Sequence, residues 1–285
     1  MVDTNIEQAS IAVVMSIYKS EEARYFDECF KSIWTDQTLK PKQIVIVQDG
    51  NLPSCLLEIL NKWRKILGDV MTLHVNPQNI GLTKSLNIGI KYVKEKYIAR
   101  MDSDDVCMPD RFAKQFSYLE SHPDVCALGS SVMEIDECGN ELFLRHYPKG
   151  DEAVKSCICK ATPLQHSAVM MRTEPFKKGI IAYDERFRLT QDLALWFDML
   201  CAGLKIDNLD DTLLLFRLTK TSFSRRNKVK AKNEFKIYVN GIRRLYGFTW
   251  RYIYPIARYL YRMMPTKLVK VIFLSGVRKR LLKQK

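Results

Sequence analysis

Asp102, Asp104 and Asp105 fall within four residues, directly behind the apolar run Tyr97-Ile98-Ala99. Carboxylates this close repel one another, so a fold that keeps them supplies a cation. Hard oxygen ligands suit Mn²⁺ or Mg²⁺, which take a few carboxylates, some waters and substrate phosphates. A short apolar run reads as a buried strand, which puts the three acids at its C-terminal edge, where open α/β sheets bind ligands. Taken alone, Asp-x-Asp reads more readily as a solvated acidic turn; the motifs that follow in the chain reverse that preference.

Three further segments sit at such edges. Ser16-Ile17-Tyr18-Lys19-Ser20-Glu21 closes the first apolar run, and Asp49-Gly50 closes the second. A carboxylate at Asp49 is placed to accept a pyrimidine N–H or a ribose hydroxyl, although Asp-Gly is also a common turn. Asn79-Ile80-Gly81-Leu82-Thr83-Lys84 sets a glycine at a loop-to-helix junction with a lysine in the first turn. Free N–H groups, the positive helix end and Lys84 together suit a phosphate. An ordinary capped helix is the competing reading, and the glycine spacing of a Walker motif is absent.

The elements that must position these residues alternate. Strands are expected at Ile11–Ile17, Gln43–Gln48, Met71–Val75 and Lys96–Met101, and helices at Tyr25–Trp34, Leu56–Leu67 and Gly81–Tyr92. That order implies βαβ units and a mostly parallel sheet flanked by helices. Pro109 suits the first turn of a helix reaching Ser121. Strands follow at Val125–Ile135, Glu141–Leu144, Ala168–Met171 and Leu213–Arg217, with a helix at Asp192–Cys201. Helical patterns at Val229–Tyr246, Thr249–Met264 and Thr266–Leu282 end the chain.

In order, Ser16-x-Tyr18-x-x-Glu21, Val47-Gln48-Asp49-Gly50, Asn79-x-Gly81-Leu82-x-x-x-Leu86-Asn87 and Ala99-Arg100-Met101-Asp102-Ser103-Asp104-Asp105, with Pro109-x-Arg111-Phe112 behind, form a set. This set resembles the inverting glycosyltransferases of family 2, over roughly residues 10 to 225. The resemblance implies an α/β fold of the A type, a nucleotide-binding half (1–105) fused to an acceptor half (106–226), followed by a basic helical region (227–285). It implies a uridine pocket lined by Ser16, Tyr18 and Glu21, with Asp49 on the base and Lys84 near the diphosphate. Asp102 and Asp104 become the Asp-x-Asp pair, Asp104 nearest the metal and Asp105 adjoining it.

Gln191-Asp192-Leu193-Ala194-Leu195-Trp196 matches the family's Glu-Asp-(aromatic)-x-Leu-Trp element, with Gln191 in place of the first acid. Asp192 then aligns with the base that deprotonates the acceptor hydroxyl; as plain sequence it also reads as a helix N-cap. His166 lies in a segment resembling one near the donor sugar or acceptor. In Leu215-Phe216-Arg217-Leu218-Thr219 the histidine of the family's Arg-x-His is replaced by Thr219. Arg225 and Arg226 resemble a subgroup variant in polysaccharide assembly, there to clamp the diphosphate or to face solvent. The expected reaction moves a hexose, galactose first, then glucose or an N-acetylhexosamine, from a UDP-sugar to a lipid-linked glycan, as in O-antigen or capsule assembly.

Composition bounds the alternatives. The 285 residues are 47% hydrophobic with no 18-residue apolar stretch, so a real core and no spanning helix are expected. Eight cysteines without a Cys-x-x-Cys pair fit a reducing compartment, and Met1–Ser10 lacks a signal pattern. Charge is divided: Arg217 to Lys285 holds 20 Lys and Arg against one acid, Glu234, whereas the first 216 residues hold 25 basic and 31 acidic residues. A basic tail points to a polyanionic surface, and no nucleic-acid motif accompanies it. Arg251, Arg258 and Arg262 share a helical stripe, which fits a helix lying on an anionic membrane at its cytoplasmic face; packing on the body with solvated arginines is the other reading. Two other functions compete. A sugar nucleotidyltransferase would need a glycine-rich phosphate loop near its first strand, and Ser16 to Glu21 has no glycine. A non-catalytic scaffold would keep the fold without the chemistry.

Overall fold

The structure is a computed structural model and describes residues 8–219 and 228–263. Strands β1 (Gln8–Ile17), β2 (Lys40–Asp49), β3 (Met71–Asn76) and β4 (Tyr97–Arg100) pair in parallel in the order β3-β2-β1-β4. Both faces are covered. Ile11, Val13, Met15 and Ile17 enter one apolar cluster, while Ala12 and Val14 enter another. Burial on two sides is why these strands read as unbroken apolar runs.

Helices α1 (Ala23–Phe30) and α2 (Ser54–Leu67) cover the first face, where the Phe30 and Trp63 rings stack at 5.3 Å. Helix α3 (Leu82–Lys91) covers the other through Leu86 and Ile90. Parallel strands with crossover helices bring every strand's C-terminal end to one edge. Ser16, Asp49, Asn76 and Asp102 therefore gather along that edge.

Beyond β4 the sheet continues through β8 (Met170–Arg172), β6 (Val125–Ile135), β9 (Lys205–Arg217) and β5 (Val106–Cys107), with β7 (Glu141–Arg145) beside β6. The β4–β8, β8–β6, β6–β7 and β9–β5 pairs are antiparallel, and β6–β9 is parallel. The α/β fold stands as expected, but the sheet is mixed: the parallel arrangement is confined to its first half and to β6–β9. β9 starts eight residues before the expected Leu213, because Lys205–Asp211 is too polar to read as a strand; it is held by pairing with β6. Helix α4 (Arg111–Ser121) anchors the end of β4, since fully buried Arg111 donates from Nη2 to the Arg100 carbonyl at 2.9 Å. Two short helices, α5 (Asp151–Ile158) and α6 (Glu174–Lys177), and β5 carry no periodic signal long enough to be read.

Helix α7 (Gln191–Cys201) underlies the second half, and α8 (Lys228–Tyr246) packs on it. Ile237, Tyr238 and Ile242 of α8 complete the second cluster. Gly241 is the point of closest approach: a Cβ there would lie 2.3 Å from the Phe197 ring. Helix α9 (Ile253–Met263), entered through a short turn at Trp250–Tyr252, lies against α8. The arginine stripe is turned inward. Arg258 and Arg262 reach Glu234 at 3.3 and 2.8 Å, and Arg251 covers the Tyr246 ring at 4.2 Å. The stripe expected to meet a membrane or water thus meets α8, because Glu234 and the tyrosines offer it a partner. Arg225, Arg226 and the helical pattern at Thr266–Leu282 lie outside the described residues.

Candidate active site

Asp102, Asp104 and Asp105 each present a ligand oxygen within 4.8 Å of the others. The turn carrying them is clamped by Arg217 from the end of β9. Its N–H donates to Asp105 Oδ1 at 2.9 Å, its Nε to the Asp104 carbonyl at 2.9 Å and its Nη2 to Glu28 at 2.7 Å. The Asp105 carboxyl is pushed well above the usual range by burial, then by Asp104 and Asp102, with Ser167 and the Arg217 N–H opposing. Asp105 Oδ2 is buried with no hydrogen-bond partner. Three converging carboxylates with an orphaned oxygen fit a divalent cation, which would relieve both the repulsion and the unmet bond.

The Asp49 corner is different. Its carboxylate accepts from Asn76 Nδ2 at 3.0 Å, the Ile80 N–H at 2.8 Å, Asn79 Nδ2 at 2.9 Å and the Gly81 N–H at 2.8 Å. Asp49 is 3% exposed and fully engaged in fixing the Asn79–Gly81 loop, a role its sequence context did not reveal. Gly81 caps α3 with φ +90, a conformation that excludes most L side chains, and the Arg188 guanidinium lies 3.0 Å from where its Cβ would be. Asn79, Gly81, Lys84 and Arg188 line a cleft of about 360 Å³. Lys84 and Arg188 are both exposed there, giving two cations beside a helix N-terminus. Ser16 and Glu21 are half-buried and Tyr18 is 40% exposed at the end of β1.

Asp192 lies in the first turn of α7, and the cap position falls on Thr190. Burial raises the Asp192 carboxyl above its ordinary range; the Leu193 N–H, Lys230 and Arg100 pull it partly back. His166 Nε2 and the Tyr183 hydroxyl share a 2.7 Å hydrogen bond, and the ring meets Trp196 edge-on. Burial, then Arg100, hold its imidazole well below the usual range, so His166 is neutral.

Arg100 joins the two sides and was passed over in the sequence as a strand residue. It is 2% exposed, ion-paired to Asp102, and its Nε and Nη1 have no partner. Thr190 Oγ1, Gln191 Oε1 and Trp196 Nε1 are likewise buried and unpartnered. Arg188 was missed as well, since an isolated arginine in an irregular segment carries no periodic signal.

The sequence profile of Glycosyl transferase family 2 matches residues 12–180. The chain is 31% identical over 265 residues to the amylovoran biosynthesis glycosyltransferase AmsE of Erwinia amylovora, covering 92% of this chain and 97% of that one. It is 28% identical over 273 residues to the UDP-Gal:alpha-D-GlcNAc-diphosphoundecaprenol beta-1,3-galactosyltransferase of Escherichia coli, covering 94% and 96%. Among solved structures, the mannosyltransferase PcManGT of Pyrobaculum calidifontis, in complex with GDP-Man and Mn²⁺, superposes with a TM-score of 0.63 at 14% identity, over 97% of this chain and 81% of that one.

Proposed function

The chain belongs to glycosyl transferase family 2, with the A-type fold and relatives in bacterial polysaccharide biosynthesis, and from this we propose a metal-dependent, inverting hexosyltransferase. The donor is a UDP-sugar, with galactose first, and the acceptor is a hydroxyl of a sugar carried on a lipid diphosphate at the cytoplasmic face of the membrane. The Escherichia coli relative, whose name specifies both a UDP-Gal donor and a diphosphoundecaprenol acceptor, supports that pairing. The observation that carries the reading is the carboxylate triad with its unmet buried oxygen in the turn after β4, with Asp192 as a separate carboxylate in the first turn of α7.

Asp102, Asp104 and Asp105 would hold Mn²⁺ or Mg²⁺, which when bound neutralises charge building on the departing diphosphate. This chain's residues do the rest. Ser16, Tyr18 and Glu21 receive the uridine at the end of β1, while Asp49 fixes the loop that leads into α3 and Lys84, and Arg188 joins Lys84 at the phosphates from the segment ahead of α7. Asp192 takes the proton from the acceptor hydroxyl. Its carboxyl, raised by burial, makes it a stronger base than a free aspartate. With Gln191 beside it, one carboxylate acts on one face and the leaving group departs from the other, which gives inversion. His166, kept neutral, hydrogen-bonds a sugar hydroxyl and carries no charge.

The test is release of UDP from UDP-Gal, UDP-Glc and UDP-GlcNAc, with a short-chain GlcNAc-diphospholipid and either metal. Turnover with UDP-Gal that stops in EDTA is the expected result. Full turnover in EDTA, or by Asp104→Ala, would overturn the metal assignment.

A further inference from the structure

No helix among the described residues is long and apolar enough to cross a membrane. Yet the end of the described chain gathers apolar surface. Phe248 is 94% exposed, Trp250 68%, Ile253 60% and Leu260 57%, with Ile256 and Met263 also exposed. Ile253, Ile256, Leu260 and Met263 are spaced by three, four and three, which places them on one stripe of α9. The opposite stripe holds Arg251, Arg258 and Arg262, turned onto α8. A helix that spends its cations on its neighbour and shows its apolar side outward is inverted relative to an ordinary surface helix. Soluble surfaces rarely keep a contiguous apolar patch of this kind without a partner.

We propose that α9 and the Phe248–Trp250 turn form a docking face for an anionic lipid bilayer, lying in its interfacial zone. This rests on the lipid-linked acceptor proposed above, which puts the substrate in that bilayer. Charge selects the occupant. From Arg217 onward Glu234 is the sole acid against 20 Lys and Arg, and it is 7% exposed and consumed by Arg258 and Arg262. No acidic group of this region is left to repel an anionic leaflet. Lys232, Lys236 and Arg243 add an exposed basic stripe on α8, spaced by four and seven. An apolar face with basic surroundings and too little length to span belongs on a bilayer, not in it. Glu234 therefore serves as a turnstile, fixing the helix so that its apolar side points out.

Flotation of the full chain with vesicles of phosphatidylcholine, with and without phosphatidylglycerol, tests this. Binding is expected to favour the anionic vesicles and to persist in part at high salt. The triple variant Trp250→Ser, Ile253→Gln, Leu260→Gln should lower partitioning about a hundredfold. Its turnover on a soluble short-chain acceptor should match the parent, so that loss of docking is read apart from loss of catalysis. Phe248→Ser, at a position with almost no contacts, is the control against misfolding and should weaken binding by about threefold or more. Failure of the full chain to float, or a triple variant that floats like the parent, overturns the proposal. A change from dimer to monomer in the variant, with no vesicle binding by the parent, would assign the face to a second copy and overturn it too. Vesicle binding without turnover on any donor would defeat the functional reading alone.

Discussion

Asp49 closes β2 and Asp105 follows β4, the two strands that flank β1, and both are buried, yet their surroundings are opposite. Asp49 receives four donors between 2.8 and 3.0 Å, all from the end of β3 and the loop that follows it. Asp105 receives the Arg217 N–H on one oxygen, has the Ser167 side chain beside it, faces two other carboxylates, and leaves Oδ2 unmet. A satisfied buried carboxylate is part of the scaffold. One left crowded and short of donors is held there by the rest of the fold at a cost, and is where a ligand gains most. The same residue type at the same sheet edge thus does two jobs, and hydrogen-bond accounting tells them apart.

Substitutions should separate the two kinds of carboxylate. Asp104→Asn and Asp105→Asn should cut UDP release by about a thousandfold or more, while thermal melting holds or rises, because a repulsion is removed. Asp192→Asn should lower kcat by about 10²–10⁴-fold with UDP affinity unchanged in a calorimetric titration. Asp49→Ala should act the other way round, costing about 3 kcal/mol of stability in urea unfolding by stranding its donors, with activity lost through the loop.

The crowded carboxylates should also respond to metal and to pH. The Asp105 carboxyl is raised, so its ionised form is disfavoured in the folded metal-free state; the penalty grows as pH climbs from the ordinary carboxylate range towards the raised folded value and is fully present above it. Added Mn²⁺ should therefore raise the melting temperature more at neutral pH than at acidic pH, and Asp49→Asn should leave that difference in place. Arg100 pulls the Asp192 carboxyl down, so Arg100→Met should move the acidic limb of the kcat profile to higher pH. The smallest effect belongs to the exposed cations: Arg188→Ala should raise the donor KM by about tenfold or less, with kcat kept.

Much of the site was legible because its residues sit on short contiguous motifs. The Asp102–Asp105 run, Gly81-Leu82-Thr83-Lys84 and Gln191-Asp192 each declare themselves within a few residues, and the strands that carry them are apolar runs. What escaped was held by partners far along the chain. Arg217 grips the turn at Asp104 and Asp105 across more than a hundred residues, and Asp49 meets its donors about thirty residues on. Arg225 and Arg226 fall outside the described residues, so their part in the diphosphate clamp stays a proposal.

The amino-acid order by itself determined which residue types stand at which strand ends, the alternation of strands and helices in the first hundred residues, and the division of charge between body and tail. Folding in three dimensions decided that the second half of the sheet would be mixed, that Asp49 would be saturated and Asp105 would not, and that α9 would turn its arginines inward. Periodicity specifies that a helix has two faces. Which one is buried depends on what the neighbouring helix offers, and here Glu234 of α8 offered an anion.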